Sequence, residues 1–183
     1  MEYHSRASRP APGARGQDLR ILVASDHAGF DLKQLVAAHA RENGHEVVDL
    51  GTASRDSVDY PDYAHELARR LLAGEGERGV LICGTGIGMS LAANRHPGVR
   101  AALCHDAFTA DAARRHNDAN VLCMGGRTTG PGVANQMLDL FLATPFEGGR
   151  HERRVEKIET GTGAREQGSG SPAHPRTTTE KKP

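Results

Sequence analysis

The chain has 183 residues, a length that suits one domain with a core of ordinary size. Its 23 lysines and arginines balance 23 aspartates and glutamates, so no net charge attracts it to nucleic acid or to an anionic membrane. Tryptophan is absent, which argues against a base-stacking surface, and no apolar run approaches the roughly 20 residues of a transmembrane helix. The N-terminus also lacks the apolar segment of a secretory signal. These features predict a cytoplasmic protein without a nucleic-acid or membrane partner.

Two polar segments flank the part of the chain that can fold. Residues 1–18 are rich in Arg, Pro, Gly and Ala, and residues 160–183 are rich in Gly, Ser, Pro and Thr. Neither segment can bury enough apolar surface to offset the entropy that ordering costs, so we predict that both are disordered. The folded domain is therefore expected at residues 19–159.

Short apolar runs alternate with helical patterns along this domain. Strands are predicted, in chain order, at residues 21–24, 46–50, 80–83, 100–104 and 120–124. Helices are predicted at residues 30–43, 61–73, 87–94, 107–116, 130–143 and 150–159. The helical spacing of the first predicts a buried stripe of Leu32, Leu35, Val36 and His39. The alternation is typical of an α/β fold with a parallel sheet and helices on both faces, which binds ligands beyond the carboxyl ends of its strands.

A glycine-rich loop, Cys83-Gly84-Thr85-Gly86-Ile87-Gly88, follows the third predicted strand and leads into a helix. Its three alternate glycines allow backbone N–H groups to approach an anion closely. The spacing is GxGxG rather than GxGxxG, and the loop follows the third strand instead of the first, so dinucleotide binding is disfavoured. A tight turn without a ligand and a phosphate-binding module without catalytic activity stay open as alternatives.

Cys83 lies immediately before these N–H groups, where a thiolate is stabilised. The same donors can stabilise an oxyanion beside the sulfur. A base next to an oxyanion hole suits proton abstraction α to a carbonyl, as in an isomerase. It also suits acyl transfer by a hydrolase, in which Cys83 would be the nucleophile and a histidine its partner. We interpret the other two cysteines, Cys104 and Cys123, as small buried hydrophobic residues.

Six stretches of the chain resemble type B ribose-5-phosphate isomerases, a family that includes galactose-6-phosphate and allose-6-phosphate isomerases. They occur in the family's order and read SDHAGFDLK, DLGT, VDYPDYA, GVLICGTGIGMSLAANR, RRHNDANVLCMGGR and FEGGRHERRVEKI. Together they extend over about residues 20–158. The resemblance implies an aldose–ketose isomerase that interconverts ribose 5-phosphate and ribulose 5-phosphate through a cis-enediolate, with no metal and no organic cofactor.

The resemblance also implies an architecture and an assembly. The fold would be a three-layer α/β/α, Rossmann-like domain with a five-stranded parallel sheet in the order 2-1-3-5-4. The protein would be a homodimer or a dimer of dimers in which two subunits share each active site. Allose 6-phosphate, galactose 6-phosphate and a tetrulose phosphate share the reactive end of the sugar and stay open as alternative substrates.

The resemblance assigns four catalytic roles. Cys83 falls at the position of the base. Some relatives have Ser there and Glu four residues later, but that later residue is Ile87 in this chain and cannot take a proton. Asp26 and His116 would open the sugar ring, and Thr85 would move a proton between O1 and O2 of the substrate.

The remaining site residues would bind the substrate. They are His27, Tyr60, Gly84, Gly86, Ile87, Gly88, Asn117, Arg127, Arg150 and Arg154. Arginine forms forked, charge-assisted hydrogen bonds to phosphate. Since Arg150 and Arg154 are four residues apart, the spacing predicts that they share one face of the C-terminal helix.

The place of His116 in the chain predicts that one subunit cannot complete the site. Cys83 ends a strand, whereas His116 ends the helix that follows the next strand. Because that helix runs back toward the opposite edge of a parallel sheet, its end should lie far from Cys83 of the same chain. A partner related by a two-fold axis could bring the two residues together.

Overall fold

The structure is a computed structural model that describes residues 18–160. The strands are β1 (Arg20–Ser25), β2 (Glu46–Asp49), β3 (Arg78–Cys83), β4 (Ala101–Leu103) and β5 (Val121–Gly125). The helices are α1 (Phe30–Glu42), α2 (Tyr60–Leu72), α3 (Ile87–Ala93), α4 (Ala107–Asn117), α5 (Pro131–Ala143) and α6 (Glu152–Thr160), with a 3₁₀ turn at Gly149–His151. The two tails predicted to be disordered lie outside the described residues, except for Asp18 and Thr160 at their inner ends.

The five strands form one parallel sheet in the order β2-β1-β3-β5-β4. This order confirms the predicted topology. After β2 the chain returns across β1 to β3, so the order of the strands reverses between β1 and β3. The crevice beyond the carboxyl ends of these two strands is where an open α/β sheet binds its ligand.

Alternate residues of the strands enter two cores, one on each face of the sheet. In β1, Ile21 and Val23 pack with α1, α4 and α5, whereas Leu22 and Ala24 pack with α2 and α3. Burial on both faces explains why the strands are continuously apolar in the sequence. The three-layer α/β/α prediction is therefore confirmed.

One predicted detail of the first helix is wrong. In α1, Leu35 is 49% exposed, and the buried stripe consists of Leu32, Lys33, Val36, Ala37 and Ala40. The edge strand β4 pairs with β5 over three residues, within the predicted strand at residues 100–104. On its free edge the Asn94 side chain exchanges two hydrogen bonds with the Ala101 backbone, so a side chain satisfies groups that a further strand would pair.

A buried lysine anchors the loop that follows β2. Lys33 is 1% exposed, and its Nζ donates to the carbonyl of Thr52 at 2.8 Å and pairs with Oδ1 of Asp49 at 2.5 Å. The N–H of Ser25 donates to the carbonyl of Gly51 at 2.7 Å, and the N–H of Thr52 donates back to Ser25 at 2.8 Å. These bonds hold the loop against the carboxyl end of β1, from where the chain continues to α2.

The C-terminal helix begins later than predicted. Arg150 lies in the 3₁₀ turn and Arg154 lies in α6, so the two arginines do not share one α-helical face. Gly148 and Gly149 precede them with φ of 63° and 56°, which an α-helix cannot include. Across residues 18–160, no helix is long and apolar enough to cross a membrane.

Candidate active site

Cys83 ends β3 and is followed directly by the glycine loop. The backbone N–H of Gly86 donates to Cys83 Sγ at 3.1 Å. Gly86 is the N-cap of α3 and has a φ of 80°, a left-handed conformation that favours glycine. A methyl group there would lie 2.5 Å from Leu103 Cδ1 and 2.9 Å from the carbonyl carbon of Met124. Packing and backbone conformation thus both require the glycine that donates to the sulfur.

Backbone hydrogen bonds join the ends of three strands around this loop. The N–H of Gly126 donates to the carbonyl of Cys83 at 2.7 Å, and the N–H of Arg127 donates to the carbonyl of Gly84 at 3.0 Å. The N–H of Asp26 donates to the carbonyl of Ile82 at 3.1 Å. The residues that follow β1, β3 and β5 therefore form one rigid cluster.

Asp26 and His27, which follow β1, are held by backbone donors. Asp26 is buried, and its Oδ1 accepts the N–H of Gly29, three residues further on, at 3.0 Å. Nδ1 of His27 accepts the N–H of Val58 at 3.2 Å, which assigns the proton of a neutral ring to Nε2. The loop anchored by Lys33 thus reaches the cluster through His27.

Aromatic, apolar and hydroxyl groups line the rim of the crevice. The Tyr60 ring, 40% exposed, packs so closely on Gly88 that a methyl group there would lie 2.6 Å from it. Thr85 is exposed, and its Oγ1 accepts the N–H of Ile87 at 3.4 Å, while Gly86 occupies the N-cap position of α3. The Arg127 side chain is exposed and lies against Gly84.

The three thiols differ in their surroundings. Burial raises the pKa of Cys104 to about 11, and it raises the pKa of Cys123 well above its ordinary value. Both thiols are therefore held in the protonated form, which agrees with their interpretation as buried hydrophobic residues. Only Cys83 accepts a backbone N–H at the mouth of the crevice among these three.

His116, Asn117, Arg150 and Arg154 belong to a second group of residues, and Glu147 and His151 join them. The rings of His116 and His151 stack with centroids 4.4 Å apart and an angle of 11° between their planes. Glu147 Oε2 lies 3.9 Å from His116 Nε2 and 3.8 Å from His151 Nε2. Nε of Arg150 donates to His151 Nε2 at 3.2 Å.

Two histidines and a glutamate so close together could in principle bind a metal ion. The surrounding charges oppose it, because Arg150 already occupies the His151 nitrogen and Arg154 adds further positive charge. Positive charge of this kind suits an anion, such as a phosphate group.

The two groups lie at opposite ends of the strands. Cys83 is at the carboxyl end of β3, whereas α4 returns to the amino end of β5 before it reaches His116 and Asn117. Asn117 lines a cavity with Arg100 and Ala101, where β4 begins. One chain therefore brings together the residues around Cys83 and, separately, those around His116, but it does not bring the two groups together.

The comparisons with known proteins agree with this architecture. Residues 21–158 match the model of a family described as Ribose/Galactose Isomerase. This chain belongs to that family. The isomerase is 46% identical over 139 residues to ribose-5-phosphate isomerase B of Escherichia coli (strain K12), over 76% of this chain and 93% of the relative.

Solved structures give the same result. The isomerase is similar to ribose 5-phosphate isomerase B of Thermotoga maritima, with 51% identity, a TM-score of 0.77, and coverage of 78% of this chain and 98% of the other. The type B enzyme of Trypanosoma brucei is 48% identical, with a TM-score of 0.75 and coverage of 78% and 97%. The chain is thus a sugar phosphate isomerase with the Rossmann-like α/β fold.

The sequence analysis missed three residues of the isomerase whose contacts the structure shows to be important. Lys33 is spaced with Val36, Ala37 and Ala40 at i, i+3, i+4 and i+7, and this spacing could have indicated that it is buried. Glu147 and His151 lie within the stretch FEGGRHERRVEKI, but nothing in the sequence indicates that they contact the end of α4.

Proposed function

We propose that this isomerase interconverts D-ribose 5-phosphate and D-ribulose 5-phosphate, a proposal supported by relatives that are named ribose-5-phosphate isomerase B. The observation that carries the proposal is the contact between the Gly86 N–H and Cys83 Sγ at 3.1 Å. It combines a group that can take a proton with a fixed backbone donor beside it. Thiol and donor together suit proton abstraction next to a carbonyl.

The proposed reaction moves one proton between adjacent carbons. The Cys83 thiolate takes the proton from C2 of the open-chain aldose, and the C2 electrons form the C1–C2 double bond of a cis-enediolate. Backbone N–H groups of residues 84–88 stabilise the negative oxygen. The Cys83 thiol then returns the proton to C1, while the exposed Thr85 hydroxyl carries the hydroxyl proton between O2 and O1. Each positioned acid or base is worth roughly 10²–10⁴-fold in rate.

Ring opening and phosphate binding use the second group of residues. The substrate is a furanose before it reacts, and His116 with Asp26 donates and accepts the protons that open it. Arg150, Arg154 and Arg127 bind the phosphate with His27, while Tyr60 and Asn117 contact the sugar hydroxyls. Within one chain the two groups lie at opposite ends of the strands. Each complete site in this proposal therefore combines Cys83 of one subunit with His116 of another.

Exchange of hydrogen with solvent tests the reaction. In D₂O, an isomerase should incorporate deuterium at C2 of ribose 5-phosphate and form ribulose 5-phosphate. A cysteine hydrolase should instead accumulate an acyl-enzyme that mass spectrometry detects, and a binding module should bind the sugar without exchange. Absence of both ribulose 5-phosphate and deuterium incorporation would contradict the proposal.

A substrate panel tests the length of the sugar. Ribose 5-phosphate should give the highest kcat/KM among the phosphates of ribose, allose, galactose and erythrulose, measured at equal enzyme concentration. A higher kcat/KM for allose 6-phosphate or galactose 6-phosphate would assign the enzyme to six-carbon sugars, and a preference for the tetrulose phosphate would assign it to four-carbon sugars.

A further inference from the structure

The buried His151 ring stacks against the His116 ring. It is 5% exposed, and its ring is nearly parallel to that of His116. Because Arg150 Nε donates to His151 Nε2, that nitrogen carries no proton, and the ring is neutral with its proton on Nδ1. Burial, followed by the charges of His116, Arg150 and Arg154, lowers the pKa of His151. His151 therefore offers a neutral aromatic face to its neighbour.

Glu147 is fixed to the end of α4 by its own backbone. Its N–H donates to the carbonyl of Arg115 at 3.1 Å, and Nη1 of Arg115 lies 3.5 Å from Glu147 Oε1. The other carboxylate oxygen, Oε2, faces both imidazoles at just under 4 Å. Gly148 and Gly149 then turn the chain back with positive φ, so that Glu147 and His151 contact His116 from one short segment.

We propose that His151 and Glu147 are positioning residues for His116, with His151 fixing the orientation of its ring by stacking and Glu147 holding the segment that carries His151 against the end of α4. This inference rests on the proposed function, in which His116 is the acid that opens the sugar ring. A ring stacked face to face limits how its neighbour can turn, and the bond from the Glu147 N–H to Arg115 keeps this segment in place. A residue that merely bound phosphate would need neither the stacking nor this backbone bond.

Several charged groups share this end of the molecule. Asp111 and Arg115 lie on α4 with His116, Glu147 comes from the loop after α5, and Arg150 and Arg154 come from the last turn and helix. Arg115 pairs with Asp111 and Glu147, while Arg150 contacts His151. Glu147 is the carboxylate that the structure places nearest to the His116 ring nitrogen.

The test compares a sugar that closes into a ring with one that cannot. Ribose 5-phosphate forms a furanose through O4, whereas 4-deoxyribose 5-phosphate lacks that oxygen and stays open. Both carry the same phosphate. We expect His151→Ala to lower kcat for ribose 5-phosphate about tenfold or more, a fraction of the roughly 10²–10⁴-fold that a positioned acid supplies. The kcat for the open sugar should change by less than about threefold.

His151→Phe retains a flat ring and is expected to restore most of the lost kcat with ribose 5-phosphate. Equal losses of kcat/KM on both sugars, from a higher KM, would assign His151 to phosphate binding and overturn the inference. Failure of His151→Phe to recover any activity with ribose 5-phosphate would also count against the stacking role.

A second measurement does not depend on catalysis. In His151→Ala, NMR relaxation should show that the His116 ring is more mobile than in the wild type, because the ring stacked on it is gone. His65→Ala is the matched control, since it removes a ring that contacts His96 instead, and it should leave the mobility of the His116 ring unchanged. An equally rigid His116 ring in His151→Ala would overturn the inference. If the wild type isomerises neither sugar, the proposed function fails, and the mobility of the His116 ring alone decides the positioning role.

Discussion

The backbone nitrogen of Gly86 lies 3.1 Å from Cys83 Sγ and donates a hydrogen bond to it, and the backbone conformation of Gly86 orients this N–H. Its φ of 80° is left-handed, and a methyl group on its α-carbon would collide with Leu103 and Met124. The donor can therefore adjust very little when charge develops on the sulfur or on a bound oxyanion. Donors fixed before the reaction stabilise such charge without the cost of reorganisation.

Gly86→Ala should disrupt this geometry. A side chain in the left-handed region costs about 1–2 kcal/mol, and the added methyl group must displace Leu103 or Met124. We expect kcat to fall by about 10²–10³-fold, the loss typical of one oxyanion-hole donor. Gly74→Ala is the matched control, because Gly74 also has a positive φ of 77° but has nothing within 4 Å of the added methyl group. It should lose stability while its kcat stays near wild type, and an equal fall in kcat would contradict the role of Gly86.

The Cys83 thiol should be the one whose loss stops turnover. Cys83→Ala is expected to abolish isomerisation and to leave sugar-phosphate binding measurable by calorimetry, since Ile87 offers no other proton acceptor in the loop. Iodoacetamide should inactivate the wild type by labelling Cys83, with substrate protecting. Cys104 and Cys123 should resist labelling, because burial raises the pKa of both. Turnover by Cys83→Ala at the wild-type rate would remove Cys83 from the mechanism.

The buried pair of Lys33 and Asp49 should contribute strongly to stability. Asp49→Asn leaves the Lys33 charge buried with a weakened partner, so we expect a loss of about 3 kcal/mol in the free energy of unfolding. Lys33→Met should cost less, since Asp49 is 30% exposed in its side chain and keeps the Gly51 N–H at 2.9 Å. Urea denaturation measures both values. The exposed pair of Arg55 and Asp31 is the control, and Asp31→Asn should have no measurable effect.

Lys33 also illustrates what the sequence can and cannot predict. The order of strands and helices follows from alternating apolar runs and from the resemblance, because period and burial are local properties. A lysine within a buried stripe contradicts local expectation, and only its tertiary partners Asp49 and Thr52 explain it. The prediction that Leu35 is buried failed for the same reason, since packing against the sheet decides which side of the helix faces inward.

Some residues of the candidate site could be predicted from the sequence, and others could not. The glycine loop and Cys83 could be found from the sequence, since a single continuous stretch supplies both the donors and the thiol. The stacking of His151 on His116 could not, because it joins segments that are 35 positions apart through a turn whose shape depends on Gly148 and Gly149. The roles of the site residues remain predictions from the resemblance.

The contact between His65 and His96 should make stability depend on pH. Nδ1 of His65 and Nε2 of His96 are 2.8 Å apart and share one proton. Burial, followed by His65 and Arg69, lowers the pKa of His96. The unfolded chain then binds more protons than the folded one, so the stabilisation is complete above about pH 6.5 and is lost as the pH falls below it.

Melting temperatures between about pH 7.5 and about pH 5.5 test this sign, since the window spans the ordinary pKa of histidine. The wild type should lose stability on acidification more steeply than His96→Gln, which can still bond to His65 without taking up a proton. His105→Gln replaces an exposed histidine and should retain the wild-type slope. Parallel slopes for the wild type and His96→Gln would rule out the pair as the cause.

The separation of Cys83 from His116 within one chain leads to a complementation test. Cys83→Ser and His116→Ala should each be nearly inactive with ribose 5-phosphate. In a mixed dimer with shared sites, one site carries both substitutions and the other carries neither. Random pairing makes half of the dimers mixed, so about a quarter of the wild-type sites, and of the wild-type activity, should reappear after the two variants are refolded together.

The control for this experiment must establish that mixed dimers form. Each variant carries a different affinity tag, and the doubly tagged species is purified before it is assayed. That species should have about half of the wild-type activity, because one of its two sites is intact. If the doubly tagged dimers form but stay as inactive as the two parents, Cys83 and His116 act in the site of the same chain, and the two groups of residues would have to meet by a movement of α4 rather than by assembly.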